Sequence, residues 1–134
     1  MRPAAFLDRL PETRRPVPWL LLLCLLLWLP GFFTIPAGDR DESRFAQASR
    51  QMVESGDYVR IRLGEVDRNK KPAGIHWAQA ATVHVLEAVG IPARGQIWAY
   101  RLPSLIGGMI AVLATCLLGR SLVGRRAAFI AAAM

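Results

Sequence analysis

Histidine, cysteine and tyrosine are scarce in this chain of 134 residues, with two of each. Cys24 and Cys116 both fall inside apolar runs, so they make no disulfide framework and read as small apolar residues. His76 and His84 are eight positions apart. On a helix that spacing gives about 12 Å of rise along one face, too far for a shared metal ion. There is no GxxxxGK[ST] loop, GxGxxG turn, HExxH pair or CxxC pair, and Ser104 has no His/Asp partner in a nucleophile-elbow context. Phosphate-loop, zinc-protease and serine-hydrolase chemistries therefore have no motif to rest on. Acidic residues are also few, 10 against 17 Lys and Arg, a net charge of +7. A basic chain of this size invites a nucleic-acid reading, but its charge is segregated. Trp19 to Leu29 is unbroken apolar sequence, and Leu102 to Gly119 carries no charge. A small soluble domain has no room to hide both, which excludes a soluble nucleic-acid binder. Disorder is excluded by a hydrophobic content of 53%.

What is present is membrane-like. A bilayer core about 30 Å thick needs around 20 apolar residues of helix. Residues 17–35 supply one such span, with Trp19, Trp28, Phe32 and Phe33 toward its ends as interface anchors. Residues 98–119 supply a second, in which Ser104, Gly108, Ala111 and Thr115 would let another helix approach closely. Residues 127–134 begin a third apolar run, so the expected fold class is all-α: the N-terminal fragment of a multi-pass membrane protein. The tail 1–16 holds Arg2, Arg9, Arg14 and Arg15 against Asp8 and Glu12, and the loop 120–126 holds Arg120, Arg125 and Arg126 without an acid. Both should be cytoplasmic, and the nearly neutral segment 36–97 should lie outside. A cleaved signal peptide ending near Ala37 is the rival for the first run; tryptophans at its flanks favour a retained anchor.

The long segment 36–97 is patterned, which favours function over disorder. A helix is expected over about 42–55, with Phe45, Ala48, Ser49 and Met52 on one face and Gly56 as its stop. It would lie along the membrane surface or pack on other helices; the pattern alone does not choose. Residues 58–63 alternate as an extended stretch, and a second helix, juxtamembrane like the first, is expected over about 75–88. Two constellations stand out. Asp39-Arg40-Asp41-Glu42 sets three carboxylates in four positions, and Arg68, Lys70 and Lys71 precede Pro72. A carboxylate is what a hydroxyl nucleophile needs as general base, and fixed cations are what a phosphate leaving group needs. The plainer reading makes Asp39 and Glu42 a capping box, Asp41 an N-cap, and the cations contacts to lipid headgroups.

The ordered pieces Asp39-Arg40-Asp41-Glu42-Ser43-Arg44-Phe45-Ala46, Met52 to Tyr58, Lys70 to Trp77 and Arg101-Leu102-Pro103-Ser104 span about 65 residues. Together they resemble the start of bacterial membrane glycosyltransferases of the GT-C superfamily, near the lipid A aminoarabinose transferases and the relatives of protein mannosyltransferases. The resemblance implies transfer of a sugar from a polyprenyl-phosphate carrier to an acceptor on lipid A, another glycan or a protein. The reaction would take place at the outer face of the bacterial inner membrane. It implies Asp41 as catalytic base, Lys71 and Arg44 at the donor phosphate, and Glu42, Lys70 and Arg101 in support. In the aminoarabinose transferases an acid commonly precedes the Lys-Pro lysine and can help hold a metal; here that place is Lys70, so a divalent metal stays open, and no metal ligand and no other cofactor is assigned. Two other readings stand beside this one, a non-catalytic scaffold subunit and a fragment of a lipid-linked-sugar transporter.

Overall fold

A computed structural model describes residues 16–68 and 72–134. It is mostly helical. The described helices are α1 (Pro16–Phe32), α2 (Arg40–Ser55), α3 (Gly74–Ala88), α4 (Ile97–Val123) and α5 (Arg125–Ala133). A two-stranded antiparallel hairpin, β1 (Arg62–Leu63) and β2 (Val66–Asp67), lies between α2 and α3. The alternating stretch 58–63 therefore pairs only at its end. Gly64 turns the chain at φ 66°, a left-handed value that favours glycine.

The helix bounds follow local chemistry. Proline at the first position of α1 costs nothing, because that N–H has no partner inside the helix. Pro30 falls in its last turn, and α1 stops at Phe32, three residues before the end expected for the first span. Gly56 closes α2 at φ 71° with its N–H on the Met52 carbonyl at 3.0 Å. α4 is the described helix that is long and apolar enough to cross a membrane. Residues 17–32 make a shorter apolar helix. The expected loop 120–126 is largely helical instead: α4 continues to Val123, only Gly124 (φ 82°) leaves helical geometry, and α5 begins at Arg125. One left-handed glycine suffices for the break.

The chain divides into two units. The first contains residues 16–30 and 105–134. Here Leu20 of α1, Cys116 of α4 and Phe129 and Ala132 of α5 are buried together, with Val112 packed against them. A side chain on Gly119 would meet the Ala128 Cβ at 3.1 Å, and one on Gly108 would meet the Trp28 ring at 3.0 Å. Of the four small residues expected to line a helix contact, Gly108 does so, while Ser104, Ala111 and Thr115 are exposed. The packed row is Gly108, Val112, Cys116 and Gly119, spaced i, i+4, i+8 and i+11. Both cysteines are free and buried.

The second unit covers 31–104. Its core joins Ala46, Ala48, Met52 and Val53 of α2 to Ile61, to Ala80 and Val83 of α3, and to Ala99 and Tyr100 at the head of α4. The apolar face of α2 is thus covered by protein. Gln51 fastens the hairpin to α2, donating to the Gly64 carbonyl at 2.8 Å and accepting the Gly64 N–H at 3.0 Å.

Candidate functional site

The acidic constellation sits at the head of α2, with Asp39 at the N-cap position and Asp41 inside the helix. Asp39 is the N-cap residue, extended at φ −115° and ψ 147°, and its side chain makes no capping hydrogen bond. Asp41 and Glu42 lie inside the first helical turn, where the helix dipole favours negative charge. Half of a capping box survives, displaced by one residue: Glu42 Oε2 accepts the Gly38 N–H at 3.3 Å.

Glu42 has a stronger partner. Arg101, near the start of α4, donates from Nε to Glu42 Oε1 at 2.5 Å. The Arg101 guanidinium also donates to the carbonyls of Phe32 at 2.8 Å, Ile35 at 2.7 Å and Pro36 at 3.2 Å. The Arg101 hydrogen bond is the chief reason that the Glu42 carboxyl is held below its usual range, with burial opposing it. Arg101 is therefore a fixed clamp between α4, α2 and the chain that follows α1.

Asp41 is half-exposed and lies between two guanidinium groups, 3.8 Å from Arg44 Nη1 and 3.7 Å from Arg68 Nη2. The structure thus brings the basic cluster, through Arg68, onto the acidic one. Lys71, expected at the donor phosphate, and Lys70, expected in support, lie outside the described residues. Arg68 lies over the Phe45 ring, 5.7 Å from its centroid, and Phe45 stacks on His76 at 5.2 Å.

Behind this stack is a buried polar chain. Ser49 Oγ donates to Gln79 Oε1 at 2.6 Å, and Gln79 Nε2 donates to the Tyr100 carbonyl at 2.9 Å. With its proton on Gln79, Ser49 accepts from His76 Nδ1 at 2.8 Å, which leaves His76 Nε2 without a proton. Among the described residues, that nitrogen and Arg68 Nε are both buried without a hydrogen-bond partner. Burial, then the Arg68 charge, pushes the His76 pKa below its ordinary value. His84 is on a different side of α3, exposed, with Nε2 2.6 Å from the Tyr58 hydroxyl. Eight residues leave two side chains about 80° apart around a helix, so the expected shared face does not occur.

A cavity of about 570 Å³ opens beside these groups. Glu42, Arg101, Gln79 and Ser104 line its polar parts, and Phe45, Pro72, Ile75, Ile97 and Tyr100 its apolar walls. Its chemistry suits an amphiphile with an oxygen-rich head and a hydrocarbon body. Among the described residues no group of three or more His, Cys, Asp or Glu converges as a metal site would.

Sequence reasoning missed the Ser49–His76–Gln79 chain and the Arg101 clamp. The first left a faint signal, two polar residues i and i+3 on an otherwise apolar helix. Of the second, only Glu42 and Arg101 were read, as supporting residues and not as a pair, and its three carbonyl acceptors leave no side-chain signal. No protein-family model, no curated protein and no solved structure matches this chain.

Proposed function

We propose that this chain carries the outer-face part of the active site of a membrane glycosyltransferase that uses a polyprenyl-phosphate-linked sugar. The reading rests first on one observation: the half-exposed Asp41 carboxylate, held by Arg44 and Arg68 at the head of α2, one residue from the Glu42 that lines the 570 Å³ cavity. In this reading the acceptor hydroxyl oxygen bonds to the anomeric carbon as the bond to the phosphate oxygen breaks. Asp41 takes the hydroxyl proton, and the polyprenyl phosphate leaves as an anion. Cations at Arg44 and Lys71 stabilise the charge that develops on it. A single displacement inverts the sugar carbon. The cavity's apolar walls suit the lipid end of the donor. The protein would then be a multi-pass protein of a bacterial inner membrane, with residues 17–35 and 98–119 as spans and the N-terminus in the cytoplasm.

The test is transfer by the membrane-embedded protein across a panel of polyprenyl-phosphate sugars. Asp41→Asn should lower kcat by about 10²–10⁴-fold with insertion and melting midpoint kept. Lys71→Ala should raise the KM for the donor. A scaffold role makes a different forecast: no transfer by the wild type, and equal losses of thermal stability in Asp41→Asn and Arg68→Ala, because each breaks the same ion pair.

A further inference from the structure

The cavity has one polar group whose direction is fixed from behind. Gln79 lines it and is itself 6% exposed. Its Oε1 accepts from the Ser49 hydroxyl at 2.6 Å, and its Nε2 donates to the Tyr100 carbonyl at 2.9 Å. Ser49 is held in turn by His76 Nδ1 at 2.8 Å. Reversing the carboxamide would set its oxygen against the Tyr100 carbonyl, acceptor against acceptor, so one orientation is allowed. An amide nitrogen carries two protons, and the second has no partner among the described residues. Gln79 therefore presents a spare, oriented donor at the cavity wall.

The other polar lining is a neutralised pair. Arg101 gives Nε to Glu42, two Nη1 bonds to Phe32 and Ile35, and one Nη2 bond to Pro36, which leaves one N–H. The Glu42 carboxylate keeps lone pairs beyond those taken by Arg101 and the Gly38 N–H. Ser104 adds a hydroxyl. Among the described lining residues the formal charges cancel, Glu42 against Arg101, while donors and acceptors both remain. Pro72, Ile75 and Ile97 supply apolar wall between them. A sugar ring with free hydroxyls has the matching surface: groups at its rim that donate and accept, and C–H faces between. A ring bearing a cation would meet Arg101, and one bearing a carboxylate would meet Glu42; each would bring an uncompensated charge beside a pair that is already neutral. We infer, resting on the glycosyltransferase reading, that this cavity takes the sugar ring of the donor, that the ring is uncharged, and that Gln79 is the residue that reads one of its hydroxyls.

The test is binding to the full chain in nanodiscs, by isothermal titration with empty discs as the blank. The probes are farnesyl-phosphate-linked glucose, glucuronic acid, and the glucose analogue with a primary amine in place of the outer hydroxyl. The glucose probe should bind about tenfold tighter than either charged one. Gln79→Met should weaken the glucose probe about tenfold, because the hydroxyl loses its donor. A second variant does not depend on Gln79. Glu42→Gln leaves Arg101 uncompensated and should make the glucuronic acid probe the tightest of the three. Equal binding of all three probes would overturn the inference and leave the donor reading standing. An unchanged ranking in Glu42→Gln would do the same. No binding of any probe would overturn both.

Discussion

The two units solve packing in opposite ways. In the first, small residues let helices touch, and large apolar side chains remain outside: Leu26, Leu27, Leu118 and Leu122 are 64, 65, 69 and 82% exposed. In the second, hydrogen bonds run through the interior, along Ser49, His76 and Gln79 and around Arg101. On the proposed membrane reading, the difference follows from the solvent around each unit. The exposed leucine rows would then face hydrocarbon, where shape rather than hydrophobic burial holds helices together. A polar interior is affordable where apolar contacts are expelled by water on at least one side.

If that contrast is right, the largest loss comes from the clamp. Arg101→Ala leaves Glu42 and the carbonyls of Phe32, Ile35 and Pro36 without their donor, and should cost the 31–104 unit about 3 kcal/mol. Thermal unfolding in nanodiscs, followed by protection of the Trp77 indole, measures it; an unchanged midpoint would contradict a polar frame. A smaller effect tests the other unit. Gly119→Leu drives a side chain into Ala128 and should cost about 2 kcal/mol by overpacking. Cross-linking between α4 and α5 would report it, and full retention of the cross-link would show that this contact is slack.

The smallest effect is in pH. His76 has a folded pKa below its ordinary value of 6.5. Its neutral burial therefore stabilises fully above pH 6.5, and that stabilisation is lost as pH falls below 6.5 toward the folded value. The denaturation midpoint of wild type should decline over that window, and His76→Gln should flatten the decline. Parallel slopes would mean that another group titrates.

Periodicity made the helices of the second unit legible. The expected 42–55 and 75–88 differ from α2 and α3 by two residues and by one at their starts. Glycine stops and a 3.6-residue repeat are local signals, and they sufficed. The hairpin was half visible, since alternation marks an extended strand but not its partner. Within the candidate site, the residue types were legible and their pairing was not. Asp41 and Arg68 are 27 positions apart, and Glu42 and Arg101 are 59 apart. Nothing in a chemical pattern says which cation will find which acid. The capping reading held in part: Asp39 takes the N-cap position and Glu42 accepts a backbone N–H, but α2 begins at Arg40, which moves Asp41 from the cap into the helix.

The Arg101 guanidinium has a consequence for the order in which the protein is made. It ties the chain at Phe32, Ile35 and Pro36 to a point some 65 residues later, closing that stretch into a ring. Closure of so long a loop costs little more than closure of one half its length, because the entropy grows only with the logarithm. Every partner in the ring lies between residues 31 and 104. Once residue 104 has left the ribosome, all the contacts that define this unit are available, and none of them waits for a later helix.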